Sequence, residues 1–163
     1  MCVVIDADIF SEISDGDNKE FEPLRNWISR KGHKVIHGGS EYAKQLSKHS
    51  KFLGYLAELD RAGNPSYVLD SKKVDSTQVF LEQNFKSKEY NDHHIAAILF
   101  LSGCRVVSSH DQGLHELIEK CCSNNGRRII KNVPNLMINK IRIYQESNHR
   151  SFLEHKSVNH CCV

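Results

Sequence analysis

Asp6 closes the run Cys2-Val3-Val4-Ile5-Asp6, and Asp111 follows a matching run, Arg105-Val106-Val107-Ser108-Ser109-His110-Asp111. Short β-branched runs of this kind predict strands buried on both faces. An acid at the end of such a strand stands at the rim of a sheet. Two further acids, Glu41 and Asp92, open helical stretches. Carboxylates crowded on one rim shift each other's protonation, and some stay protonated unless a cation intervenes. Their oxygens suit hard ions, Mg²⁺ or Mn²⁺, which retain waters and take further ligands from a substrate phosphate. One such ion lowers the pKa of a bound water, and a second, about 3.5–4 Å away, stabilises a leaving oxygen. The chemistry those residue types suit is phosphodiester hydrolysis. No Ser/His/Asp or Cys/His grouping competes on spacing, and no phosphate-cradling Gly-rich loop is present.

The elements that must position these acids alternate between strand and helix. A first strand covers Cys2 to Asp6, and Phe21, Leu24, Trp27 and Ile28 recur at helical spacing. A second strand, Lys34 to His37, stops at Gly38-Gly39, and Ser40 suits the N-cap of a helix beginning at Glu41. A helix carrying Phe52, Leu53, Leu56 and Leu59 leads to a third strand, Tyr67 to Leu69. Val74 to Gln83 reads as helix. Asn91 or Asp92 caps an apolar helix, Ile95 to Leu101, which stops at Gly103. Strand four is Arg105 to Ser108, followed by a helix through Leu114, Leu117 and Ile118. A fifth strand is expected at Arg128 to Ile130, then an extended piece at Ile141 to Tyr144 and a short final helix.

Strands separated by helices imply right-handed crossovers and an α/β fold. We expect a three-layer α/β/α sandwich around a mainly parallel sheet of about five strands. In such sheets ligands bind beyond the carboxyl ends of the strands, where the strand order reverses. Asp6 and Asp111 end strands, and Glu41 begins the helix leaving strand two. Asp92 begins the helix that runs back to strand four. All four acids therefore belong to the carboxyl edge.

The 163 residues suit one domain, residues 1–145, with 146–163 as a C-terminal helix or tail. No apolar run approaches a membrane span. The start lacks the basic-then-apolar pattern of a signal peptide, so a cytoplasmic protein without membrane contact is expected. Of the six cysteines, Cys2 and Cys104 fall in expected strands and read as buried free thiols. The Cys161-Cys162 tail does not fit a prenylation box. Net charge is only +2 but unevenly spread. Met1 to Leu24 holds seven acids against one base, and Leu117 to Val163 holds three acids against eight bases. That asymmetry suits a site for cations beside surface for phosphates, or a solvated charge pattern with no partner.

The residues resemble the PIN-domain nucleases over most of the chain, from Met1 to about Tyr144. Four segments carry the resemblance. They are Val3-Val4-Ile5-Asp6-Ala7-Asp8, the early-helix acid Glu41, Asp92-His93-His94-Ile95-Ala96-Ala97, and Ser109-His110-Asp111 with Leu114 packing behind. The last two are the more specific. Asp8 departs modestly from the family, which more often has Ser or Asn there. The resemblance implies Mg²⁺- or Mn²⁺-dependent endonuclease activity, usually on RNA, with Asp6, Glu41, Asp92 and Asp111 as catalytic metal ligands. Asp8 and Ser109 would support them. Many bacterial members are toxins held by an antitoxin, and others act in RNA processing or defence. The implied partners are therefore a nucleic acid, a protein inhibitor or defence component, and a second copy in a homodimer.

Lys44, Lys48 and Lys51, and the pair Arg127-Arg128, are candidates to track a phosphate backbone. Asp92 also suits a plain N-cap, and Glu41 a first-turn acid complementing the helix dipole. His93, His94, His110 and His115 lie near the rim in sequence, but adjacent helical residues point about 100° apart and seldom share a metal. Three other functions remain open: a single-strand or structure-specific DNA nuclease, a haloacid-dehalogenase-type phosphatase using Asp6 and Asp8, and a non-catalytic binding module of the same fold.

Overall fold

Five strands, β1 (Cys2–Ile5), β2 (Lys34–Gly38), β3 (Tyr67–Leu69), β4 (Val106–Ser108) and β5 (Arg142–Tyr144), form one sheet in the order β3-β2-β1-β4-β5. All four pairings are parallel. The computed structural model describes residues 1–137 and 141–144. Every residue of β1 and β4 is buried, as continuous apolar runs require when helices cover both faces. The helices are α1 (Phe10–Ile13), α2 (Glu22–Ile28), α3 (Ser40–Leu46), α4 (Ser50–Arg61), α5 (Ser71–Asn84), α6 (His93–Ser102), α7 (Gln112–Cys122) and α8 (Asn124–Ile130).

The chain builds outward from β1 to β2 and β3, then returns across the sheet to β4 and β5. With right-handed crossovers, the reversal sends α1 to α4 to one face and α5 to α7 to the other. The result is the expected three-layer α/β/α sandwich. Nine of the ten residues of α6 are buried, as an all-apolar helix in a sandwich core must be. It stops at Gly103, whose φ of 64° is left-handed.

The expected strand at Arg128 to Ile130 is instead the end of α8. Ser123 caps that helix by accepting from Gly126 N–H at 3.1 Å. Gly126 sits against the Lys120 and Cys121 carbonyls, where a Cβ has no room. Two adjacent isoleucines are too short a run to resist this local capping. The fifth strand is the later extended piece, whose Val107↔Ile143 register places it beside β4.

Ser40 also departs from expectation. It is the first residue of α3, and its N–H and Oγ donate to the Asp75 carboxylate at 2.7 and 2.6 Å. The cap of α3 thus comes from α5. Gly39 permits this approach, with φ of 85° and a hypothetical Cβ only 2.5 Å from Val74 Cγ1.

Cys104, Cys121 and Cys122 are free thiols, the first two buried. Cys2 is buried but disulfide-bonded, which corrects the free-thiol reading for that residue; spacing does not report which cysteines meet. The expected final helix, the tail from 146 and Cys161-Cys162 lie outside the described residues. Among the described residues, no helix is long and apolar enough to cross a membrane.

One buried bond ties the first helical layer to the end of β1. Tyr42 Oη donates to Ile5 O at 2.7 Å, with no exposure of either residue. Tyr42→Phe should cost about 1 kcal/mol, seen as a lower urea midpoint at unchanged slope. An unchanged midpoint would show that the bond contributes nothing.

Candidate active site

The sheet order reverses between β1 and β4, so the carboxyl ends of these neighbours frame the crevice where such sheets bind ligands. Asp6 N–H donates to Ser108 O at 3.0 Å, which carries the β1–β4 ladder one residue past Ile5. Asp6 is thereby fixed at the rim and is still only 2 % exposed. Its Oδ1 accepts from Ala7 N–H at 2.6 Å and its Oδ2 from Ser109 Oγ at 2.7 Å.

Ser109 Oγ in turn accepts from Asp111 N–H at 2.9 Å. The hydroxyl has one proton, and it goes to Asp6; Asp8 Oδ2, 3.3 Å away, is the longer contact. Asp8 is held instead by His110 N–H at 2.7 Å. Asp111 caps α7 by accepting from Gly113 N–H at 2.7 Å. The seven residues from Asp6 to Asp8 and from Ser109 to Gly113 that make these bonds are one interlocked pair of strand ends.

Asp92 occupies the N-cap position of α6, but its side chain makes no cap bond. It shares a hydrogen bond with Asp111 instead. Gly113 makes that meeting possible. Its Cα faces the Glu89 carbonyl so closely that any Cβ would overlap it. The segment leading into α6 therefore lies directly on the first turn of α7.

Electrostatics follow from this crowding. Burial first, then the charge of Asp8, lifts Asp6 to about 6 against the pull of the Ser109 and Ala7 hydrogen bonds. Burial first, then the hydrogen bond to Asp111 and the charges of Asp6, Asp111 and Asp8, lifts Asp92 to about 8. Asp111 is lowered, chiefly because it accepts the Asp92 proton. Four aspartates from three segments thus sense one another, with one proton held between Asp92 and Asp111.

Glu41 stands apart from this group. It lies in the first turn of α3 and pairs with Lys44 at 3.6 Å, both side chains largely solvated at 43 and 66 % exposure. Its charge acts instead on His94. Arg127 and Arg128 stand on α8, beyond the far end of α7. That helix has eleven residues and leads about 16 Å away from Asp111. The structure does not bring them to the rim.

Two of the histidines that the sequence places near the rim, His94 and His115, support the acids. His94 is buried, with Nε2 2.9 Å from Gln45 Oε1 and Nδ1 facing Asp92 Oδ1 at 3.7 Å. Burial lowers it to about 4, so it is a neutral prop. His115 is buried with Nε2 3.0 Å from Ser109 O. The available signal was its place four residues after Asp111, on the same helix face. His93 bonds to Phe85 O at 3.0 Å, away from the acids.

Among the described residues, no three His, Cys, Asp or Glu side chains stand placed to hold a metal ion as they are. The four aspartates share a rim without closing on a point. Mg²⁺ is commonly bound by one or two carboxylates with waters and substrate phosphates, without an all-protein cage. Oxygen-only donors, two of them raised by burial and mutual repulsion, fit such an ion. No family model, curated protein or solved structure matches this chain.

Asp6 and Asp92 bind protons more tightly folded than unfolded, so their stabilisation is complete below the unfolded carboxylate range and lost as pH rises through about 6 and about 8. His33, His37 and His94 are lowered by burial and have the opposite sign, losing stability as pH falls below about 6.5. Above that pH the Met1 amino group, lowered from 8.0 chiefly by burial, still gains stability as pH rises, and the loss from Asp92, whose shift is the larger, outweighs it. In chelator, the urea midpoint should fall between pH 6.5 and 8.5, and Asp92→Asn should flatten the fall. A midpoint that holds or rises across that window would refute the shared-proton description.

Proposed function

We propose that this protein is a divalent-metal-dependent endonuclease of the PIN-like type, hydrolysing phosphodiester bonds with RNA as its substrate. The observation that carries the reading is the pairing of Asp6 and Asp111 at adjoining strand ends, with Asp92 drawn onto Asp111 from a third segment. Asp6, Asp92 and Asp111 would hold the cation, and Asp8 stands beside them on the His110 amide. Glu41 is the fourth candidate ligand. Its exposed pair with Lys44 is worth at most about 1 kcal/mol, so the exchange of that partner for a cation costs little.

When bound, Mg²⁺ or Mn²⁺ supplies charge neutralisation, a polarised phosphoryl oxygen and an acidified water. The protein's own residues prepare for it. Ser109 holds the Asp6 carboxylate in place, and His94 and His115 brace Asp92 and the β4 end. The proton between Asp92 and Asp111 must leave when both serve as ligands, which couples cation affinity to pH. The resemblance to PIN nucleases adds a protein inhibitor or defence partner to the same reading. The phosphatase alternative needs Asp8 free as a general acid, yet Asp8 already accepts from the His110 amide of the β4 end. That favours the nuclease.

With Mn²⁺, single-stranded RNA should be cut internally, and chelator should abolish the cutting. Asp111→Asn should lower the rate at least about a hundredfold with an unchanged circular dichroism spectrum. Equal cutting by Asp111→Asn or in chelator would overturn the reading. So would release of phosphate from small monoesters without internal cleavage.

A further inference from the structure

A cavity of about 260 Å³ opens between α1 and the start of α4. Its floor is apolar: Phe10 and Phe52 stack with ring centroids 4.1 Å apart and planes 9° from parallel. Its rim is polar and carries Ser11, Ser14, Ser50, Lys48 and Lys51. The lining contains no carboxylate. Among the described residues, neither lysine has a carboxylate within ion-pair distance, unlike Lys44. The cavity is therefore a small cationic depression on a protein whose adjoining rim is wholly anionic.

The floor is connected to that rim by packing. Phe10 meets the Tyr42 ring edge-on at 5.6 Å, and Tyr42 holds Ile5 O, one residue before Asp6. Ser11 lies three helical residues after Asp8, roughly 5 Å of chain. A ligand in the cavity thus lies against the helix that directly follows Asp6 and Asp8. Phe10 and Phe52 have no exposed surface, so the floor offers no face for a base to stack on. What remains accessible suits a phosphate: two ammonium groups and the hydroxyls of Ser11 and Ser50.

We infer that this cavity is a phosphate subsite, which seats a backbone phosphate of a single-stranded nucleic acid beside the bond presented to the acidic rim. The inference rests on the nuclease reading for its substrate class, and adds the residues that grip the strand. Lys48 and Lys51 bind the phosphate as point charges, and the Ser11 and Ser50 hydroxyls complete its hydrogen bonds, the Ser14 hydroxyl being committed to Phe10 O at 2.7 Å. An acidic peptide lacks the regular phosphate spacing that would let one group sit here and its neighbour at a cation on the rim.

The test is fluorescence anisotropy of a labelled single-stranded RNA with the whole protein in Ca²⁺, the probe being checked by gel as uncut. Lys48→Ala/Lys51→Ala should weaken binding at least about tenfold near 0.1 M salt and lower the salt-dependence slope by about 0.7, the share of one phosphate on a single strand. Lys48→Arg/Lys51→Arg should restore both. Lys72→Ala/Lys73→Ala, on α5, should change neither. Both lysines are exposed, so the thermal midpoint should stay at the wild-type value. Unchanged affinity and slope in the alanine variant would overturn the subsite, even if the protein cuts RNA. Lysine-dependent binding without cleavage in Mn²⁺ would overturn the nuclease reading and leave the subsite standing. Displacement of the RNA through the same lysines by poly-glutamate at equal charge would overturn the assignment to a nucleic acid.

Discussion

Ser109 Oγ donates a hydrogen bond to Asp6 Oδ2 at 2.7 Å and accepts one from the Asp111 amide at 2.9 Å. That pair of bonds joins the ends of β1 and β4, which lie over a hundred residues apart in the chain. It also sets the problem the rest of the site must answer. Asp6 is buried and anionic groups surround it, so each carboxylate added to the rim raises the cost of the others. The molecule meets that cost in three ways: backbone amides donate to Asp6, Asp8 and Asp111, a proton stays between Asp92 and Asp111, and His94 stands neutral beside Asp92.

The helices serve this arrangement through close approaches. Gly39 lets α3 start against α5, so that Asp75 can cap Ser40. Gly113 lets the entry to α6 lie on α7, so that Asp92 can reach Asp111. In both places a methyl group would fill the space that the contact needs. The glycines therefore act on the site from positions that carry no chemistry of their own.

Charge is arranged in a similar division of labour. Anions gather where the strands end, and unpaired cations gather one helix away, around a floor of packed aromatic rings. In the proposed nuclease, a strand of nucleic acid spans the two, with the lysines supplying grip and the aspartates the cation. The imbalance noted along the chain is thus partly local. Asp6 and Asp8 from the acidic start fold onto the rim, whereas Arg127 and Arg128 stand on α8, beyond the far end of α7.

Strand ends, helix spacing and the alternation of the two were legible in the residues. Periodicity and burial of apolar runs are local properties, and they sufficed for the parallel α/β sandwich and for Asp6 and Asp111 on one edge. Where local signals conflicted, as at Arg128 to Ile130, capping by Ser123 outweighed a brief β-branched run. Pairwise events between distant segments were not legible. That Asp92 turns from its cap to Asp111, that Asp75 caps Ser40, and that Glu41 faces Lys44 and His94 all depend on how closely helices approach. The sequence therefore specified which acids reach the carboxyl edge, because strand direction alone dictates it. Only tertiary packing chose which of them touch, because contact at hydrogen-bond distance depends on the space between elements.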